Sequence, residues 1–383
     1  MNPIPYGRQY ITKEDINAVI DVLQSGFLTQ GPKIGEFEKA FAEYVDAKYA
    51  VAVSNGTAAL HLCAMALNVK PGDKVITTPI TFVASANCVR YCGGDVVFAD
   101  IDPETFLLDI NKVKKLLNNA PPKTFKGIIP VDFAGYPVNL EAYKQLADEY
   151  GLWIIEDACH SPGGYFQDSK GEKQRCGNGR FADLSVFSFH PVKHIAAGEG
   201  GMITTNDEQL YRKLLNLRTH GIQQDQSKRL ENHGPWYYEM QELGFNYRLT
   251  DIQAALALSQ LKRAQQNLEK RHQIAKKYDA VFKDAPFKTP KIADDVFHAY
   301  HLYVIRTGKR DELIKYLRQL QIMAQVHYIP VHYQPYYKDQ GGKKGDLPVA
   351  EAYYRECLSI PIYPSLADDE QNYVIGKILD FFN

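Results

Sequence analysis

The chain has 383 residues, of which 45% are hydrophobic, and 44 Lys and Arg stand against 45 Asp and Glu. That length is enough for a large domain plus a smaller one, and the near-neutral balance supplies no electrostatic reason to expect nucleic acid. No apolar run approaches a membrane span, and the polar start Met1-Asn2-Pro3 lacks the basic and apolar regions of a signal peptide, so a cytoplasmic location is expected. Cys63, Cys88, Cys92, Cys159, Cys176 and Cys357 are scattered without CxxC spacing, which favours buried or free thiols over a zinc site or disulfide frame.

Pro3, Pro5 and Tyr6 precede a predicted helix over residues 13–23, with Thr12 as its cap and Ile16, Val19, Ile20 and Leu23 on one face. Gly26 stops it, and Phe27-Leu28-Thr29-Gln30-Gly31 reads as a connecting loop. A strand at 50–53 then runs through Ser54-Asn55-Gly56-Thr57 into a helical pattern carried by Ala58, Leu60, Leu62, Ala64 and Met65. Such a turn is either a plainly capped helix or an anion site built from free backbone N–H groups. After a strand at 75–78, Phe82 stands where the chain turns into a helix through Val83, Ala86 and Val89. A ring there packs in the core or lies flat on a planar ligand. Strand 96–99, helix 110–117, strand 127–131 and helix 140–150 continue the β-α-β rhythm of a mostly parallel sheet covered on both sides. No GxGxxG fingerprint opens a helix, which argues against a nicotinamide-binding protein.

Residues 152–156 suit a strand buried on both faces, and it ends in Asp157, where open α/β sheets bind ligands. His160 follows within about one helical turn, either capping it or reaching the same ligand. Residues 167–180 are polar and glycine-containing and read as an exposed hairpin or flap. Strands at 184–189 and 201–205 flank Pro191 and Gly198-Glu199-Gly200-Gly201, so Lys193 sits on a tight connection beside His190 and His194. It is a loop lysine, or an amine of lowered pKa that attacks a carbonyl. An anion for a ring nitrogen (Asp157), a hydroxyl for a phosphate (Ser188) and an amine for an aldehyde (Lys193) are together what pyridoxal phosphate requires.

A helix at 207–217 and an irregular polar and aromatic segment at 223–239 lead to Gly244-Phe245-Asn246-Tyr247-Arg248-Leu249. One long helix is expected at 250–268, where Asp251, Ile252, Ala255 and Leu258 form a face suited to close packing, including against another subunit. Prolines and charges at 284–294 suggest a boundary, dividing the chain into 1–285, with the large cofactor-binding domain, and 286–383, a small α+β domain. Strand 300–306 and helix 311–320 belong to the latter. His327, Tyr328, His332 and Tyr333 make a cluster poorly spaced for a metal and better suited to packing or substrate contact.

Asn55-Gly56-Thr57, Glu156-Asp157-Ala158, Ser188-x4-Lys193, Gly198-Glu199-Gly200-Gly201 and Gly244-Phe245-Asn246-Tyr247-Arg248-Leu249 together resemble the DegT-type nucleotide-sugar aminotransferases, fold type I pyridoxal phosphate enzymes. Within that family, residues 25–31, 188–193 and 324–328 most resemble the C4 aminotransferases of bacterial pseudaminic acid synthesis. The resemblance implies an α/β fold with a mostly parallel large-domain sheet and a smaller C-terminal α+β domain. It implies that Gly56, Thr57 and Ser188 hold the cofactor phosphate, Phe82 stacks on the ring, Asp157 keeps the ring nitrogen protonated and His160 bonds the ring hydroxyl. Lys193 then carries the cofactor and shuttles the proton. Asn246 reaches the cofactor phosphate of a neighbouring subunit in a homodimer. Substrate contacts fall to Tyr6, Gly26, Phe27, Leu28, Thr29, Asn55, Arg248, His327 and Tyr328, and no metal is implied. The implied amino donor is L-glutamate and the acceptor a UDP-linked 4-keto-6-deoxy-N-acetylhexosamine. The alternatives are a GDP- or dTDP-linked sugar, a 3-keto sugar, or a non-catalytic cofactor-binding sensor. Some relatives have histidine at the place of Lys193 and remove a hydroxyl, so the lysine favours amino transfer.

Overall fold

The apolar runs become short strands that need cover on both faces. In the computed structural model, which describes residues 3–223 and 226–383, seven of them form one sheet. They are β1 Tyr49–Val53, β2 Lys74–Thr77, β3 Asp95–Phe98, β4 Phe125–Ile129, β5 Trp153–Asp157, β6 Leu184–Ser188 and β7 Gly201–Thr205. Met1 and Asn2 of the polar start, and Gln224 and Asp225 of the irregular segment, lie outside the described residues. The spatial order is β1-β7-β6-β5-β4-β2-β3. β7 runs antiparallel to both its neighbours, and the other pairs are parallel. No described helix is long and apolar enough to cross a membrane.

Alternation along each strand sorts side chains to two faces. Val51, Val53, Leu184, Val186 and Ile203 pack in one core with the helix α3, Gly56–Ala66. Ala50, Ala52, Phe187, Phe189 and Met202 pack in another. There Phe37 and Phe41 of the helix Pro32–Val45 meet Phe189 and Phe187 edge-on, with centroids 5.1 and 4.9 Å apart. A separate core gathers Ile274, Tyr278, Tyr303, Ile305, Leu358, Ile360 and Ile378. Ile4 joins it because the strand Ile4–Pro5 pairs in parallel with Ile322–Met323. Arg271 is sealed beneath this core, 1% exposed, and donates to the carbonyls of Tyr300, His301 and Ile362 at 3.1, 3.4 and 2.9 Å.

Three expectations need correction. The helix Lys13–Leu23 forms with the expected bounds, but Ile16, Ile20 and Leu23 are exposed in the single chain. It docks instead through Val22 and Asp15, whose carboxylate accepts from Gln260 Nε2 at 2.7 Å and pairs with Arg263. The long helix at 250–268 is in fact two, Asp251–Leu261 and Ala264–Val281, parting at Arg263, whose guanidinium turns to Asp15 and to the Tyr10 carbonyl at 3.0 Å. The first of the two packs on Lys13–Leu23 and Pro32–Val45 of this chain, and Asp251 accepts the Gly31 and Lys33 N–H groups at 2.7 and 2.9 Å, closing the start of Pro32–Val45. The 167–180 stretch is a hairpin, Tyr165–Gln167 with Lys173–Arg175, joined by Val296–Phe297. Its far side is not exposed: Gln174 and Cys176 are buried and the Gly177 N–H reaches Glu156 at 2.9 Å.

Candidate active site

The carboxyl ends of parallel strands leave a crevice where successive connections part. Here it is a cavity of about 900 Å³ bounded by the ends of β5 and β6, the start of α3, and Tyr6, His301, His327 and Tyr328. Asn55, Gly56, Thr57, Phe82, Asp157, His160, Ser188 and Lys193 also line it, so residues far apart in sequence converge on one space.

Asn55 caps α3, its Oδ1 accepting the Ala58 N–H at 2.8 Å and its carbonyl the Ala59 N–H at 3.1 Å. The Gly56 and Thr57 N–H groups make no hydrogen bond among the described residues, so two donors at a helix start remain for an anion. A Cβ built on Gly56 would stand 3.0 Å from Ser188 Cβ, so a side chain there would crowd that serine by a few tenths of an ångström. Asp157 is 5% exposed and accepts from Ser85 Oγ at 2.6 Å and from the Cys159 N–H at 3.2 Å. The remaining capacity of its carboxylate is free for a cation in the cavity.

Lys193 is the one Lys or Arg lining the cavity among the described residues. Burial lowers its amine pKa, only partly offset by the neighbouring Cys159 and Asp157 charges, which brings a neutral nucleophilic amine within easier reach. The histidines around it are also held neutral by burial. His160, His194 and His301 lie well below the usual range and His327 is pushed down to about 3. His327 Nδ1 meets Ser359 Oγ at 2.8 Å, and its ring lies 4.8 Å from that of Tyr6. Phe82 leaves 59% of its surface open at the cavity wall.

Gly26, Phe27, Leu28, Thr29, Asn246 and Arg248 do not line the cavity of the single chain. Phe27 and Leu28 are exposed, Thr29 bridges to Thr250, Asn246 to Thr219, and Arg248 to Val53. Sequence reasoning also missed residues that the fold brings in. Ser85 holds Asp157, and His301 lies with its ring 4.3 Å from that of His160. Behind Asp157, ligand atoms of the buried Asp132, Glu156 and Cys176 come within 4.8 Å of one another. The two carboxyls are already held by Ser161, Ser185 and the Val138 and Gly177 N–H groups. Burial and mutual repulsion raise the pKa of Glu156, and burial raises that of Asp132, so the pair keeps a proton. Only the strand-end position of Glu156 beside Asp157 hinted at this.

An amine, a buried carboxylate across the cavity and a bare-backbone cradle with a serine fit the aldehyde, ring nitrogen and phosphate of pyridoxal phosphate. Residues 9–379 match the model of the DegT/DnrJ/EryC1/StrS aminotransferase family. The chain is similar to the spore coat polysaccharide biosynthesis protein SpsC of Bacillus subtilis, 41% identical over 386 residues, which covers 98% of this chain and 96% of that protein. It is also similar to the UDP-4-amino-4,6-dideoxy-N-acetyl-beta-L-altrosamine transaminase of Campylobacter jejuni, 38% identical over 369 residues, covering 95% and 93%. Among solved structures, Helicobacter pylori PseC, an aminotransferase involved in the biosynthesis of pseudoaminic acid, superposes with a TM-score of 0.88 at 32% identity, covering 100% of this chain and 99% of that one.

Proposed function

Since the chain belongs to the DegT/DnrJ/EryC1/StrS aminotransferase family and is a pyridoxal phosphate-dependent sugar aminotransferase, we propose that its amino acceptor is a UDP-linked 4-keto-6-deoxy-N-acetylhexosamine. In this reading L-glutamate gives the amine, the product feeds a pseudaminic acid-type surface sugar, and the enzyme works as a cytoplasmic homodimer. The observation that carries the reading is the convergence of Lys193, Asp157 and the Gly56–Ser188 cradle on one cavity. Similarity to the Campylobacter jejuni transaminase supports the choice of sugar.

The bound cofactor supplies an electron sink for the carbon that bears the amine. Lys193 holds the cofactor and, once released, moves a proton at that carbon. Asp157, fixed by Ser85, holds the proton on the ring nitrogen, while Gly56, Thr57 and Ser188 bind the phosphate and Phe82 covers the ring. Tyr6, Asn55, His327 and Tyr328 meet the sugar between a large domain, 1–285, and a small one, 286–383, whose core also takes in Ile4, Ile274 and Tyr278. Gly26, Phe27, Leu28, Thr29, Asn246 and Arg248 act across the dimer, on the partner's site. The exposed Ile16, Ile20, Leu23, Phe27 and Leu28 give that partner an apolar surface to cover.

A GDP- or dTDP-linked keto sugar is the second reading, because the spore coat polysaccharide biosynthesis relative, at 41% identity against 38%, is not named for a UDP-linked sugar. The test incubates purified enzyme and L-glutamate with UDP-, GDP- and dTDP-linked 4-keto sugars and measures 2-oxoglutarate. Fastest turnover of the UDP-linked sugar is expected. Turnover confined to another nucleotide rejects the proposed acceptor.

A further inference from the structure

Both ring nitrogens of His160 are engaged. Nδ1 lies 3.2 Å from the Ala134 N–H, and a backbone amide can only donate. The neutral ring therefore carries its proton on Nε2. Nε2 stands 3.2 Å from Tyr328 Oη, so the imidazole donates there and the phenol oxygen accepts. The hydroxyl proton of Tyr328 must then point elsewhere, and no other described residue hydrogen-bonds that hydroxyl. Tyr328 lines the cavity. Burial keeps its phenol protonated and keeps His160 uncharged, with Lys193, His194 and His327 adding to the pressure against a charge on the imidazole.

The surroundings hold this chain of bonds in place. Ala134 sits at φ 61° and ψ −2°, a left-handed conformation that an alanine rarely adopts, and from there it offers its N–H to His160. The His301 ring lies 4.3 Å from that of His160, and Phe133 meets Tyr328 edge-on at 6.1 Å.

We propose that His160 is a positioning residue that fixes Tyr328 as a hydrogen-bond donor to a ligand oxygen in the cavity, either the phenolic oxygen of the cofactor or an oxygen of the keto sugar. The family resemblance has His160 touching the ring hydroxyl itself; here it acts through Tyr328. The inference rests on the cavity being the pyridoxal phosphate site.

The test uses cofactor-loaded Tyr328→Phe, His160→Leu and His160→Gln, and the double variant of the first two. Glutamine offers an oxygen to Ala134 and an N–H to Tyr328, so it should behave as wild type. If the acceptor is the cofactor, Tyr328→Phe and His160→Leu each raise by about half a pH unit or more the pH at which the visible absorbance of the loaded protein changes, the size one hydrogen bond gives. The shift is upward because a phenolic oxygen that loses a donor leaves the linked Lys193 nitrogen more basic. If the acceptor is the sugar, that titration stays put and both variants raise KM about fivefold for the nucleotide keto sugar the wild type turns over. In either case the double variant matches the singles, because the residues act in series. The inference is overturned if Tyr328→Phe changes neither quantity, if His160→Gln fails as His160→Leu does, or if the effects of the singles add. Should His160→Leu not fold, Tyr328→Phe and His160→Gln still decide. A wild type that shows no visible absorbance with added cofactor rejects the cofactor site itself, a separate failure.

Discussion

Replacing Gly56 with alanine puts one methyl where the proposed phosphate cradle is tightest. The new Cβ would stand 3.0 Å from Ser188 Cβ, 3.4 Å from Ser188 Oγ and 3.6 Å from Cys159 Sγ. The backbone of Ser188 is restrained by its pairing with Gly201 across the β6–β7 ladder, which limits its retreat. Overpacking of this kind costs about 1–3 kcal/mol, equivalent to a loss of roughly 5- to 150-fold in binding if it falls on the cofactor site. The loss should fall on the cofactor, since the methyl crowds the unpaired Gly56 and Thr57 amides. Titrating apo protein with pyridoxal phosphate by visible absorbance, alongside urea unfolding, measures both affinity and stability. Gly35→Ala and Gly376→Ala serve as controls, because both positions are helical with nothing within 4 Å of the added carbon. Each should stabilise the fold by about 0.5–1 kcal/mol. If Gly56→Ala binds the cofactor within about twofold of wild type while the controls behave as stated, the cradle has been placed wrongly.

Lys193→Ala should lose turnover, the yellow colour and borohydride-fixed label while melting no lower than wild type, because burial already penalises the amine's charge; a wild-type rate would contradict this. Acid should destabilise the fold through its histidines. His298 and His327 are held by burial at about 3 against 6.5. Folded values below the unfolded one mean stability fully present above pH ~6.5 and lost as pH falls toward 3, roughly 2–3 kcal/mol per histidine at pH 4.5. Urea midpoints that stay flat between pH 6.5 and 4.5 would show that these rings are not held neutral. Ile16→Lys combined with Ile20→Lys, at residues 52% and 42% exposed, should leave the fold intact and halve the sedimenting mass. An unchanged mass would mean that the subunit contact lies elsewhere.

The strands themselves, though not their spatial order, were open to reading wherever a segment carried its own signal. Residues 152–157 and 184–188 are short apolar runs bounded by turn residues, and strands of that kind have few places to go except the middle of a sheet. The cavity residues followed, because Gly56, Asp157, Ser188 and Lys193 all sit at or just beyond the carboxyl end of a strand. What escaped reading depends on partners distant in sequence. The apolar stripe of Lys13–Leu23 looks inward by periodicity, yet Asp15 and Val22 face the core because Gln260 and Arg263 wait there. Arg263 divides a helix that is continuous by propensity. The approach of Asp132 to Glu156 and the hydrogen bonds of His160 link different strands and loops, and no local pattern announces them.

Ile4 and Pro5 pair with Ile322 and Met323, and the Tyr6 carbonyl accepts the Ile362 N–H at 3.0 Å. The two halves of that clasp lie far apart along the chain, so a ribosome delivers them at different times. The sheet can gather while translation continues, but the wall that Tyr6 lends to the chamber waits until Ile362 has emerged. Until then a nascent molecule has Lys193 in a chamber open on one side, with Ile4–Tyr6 still untethered.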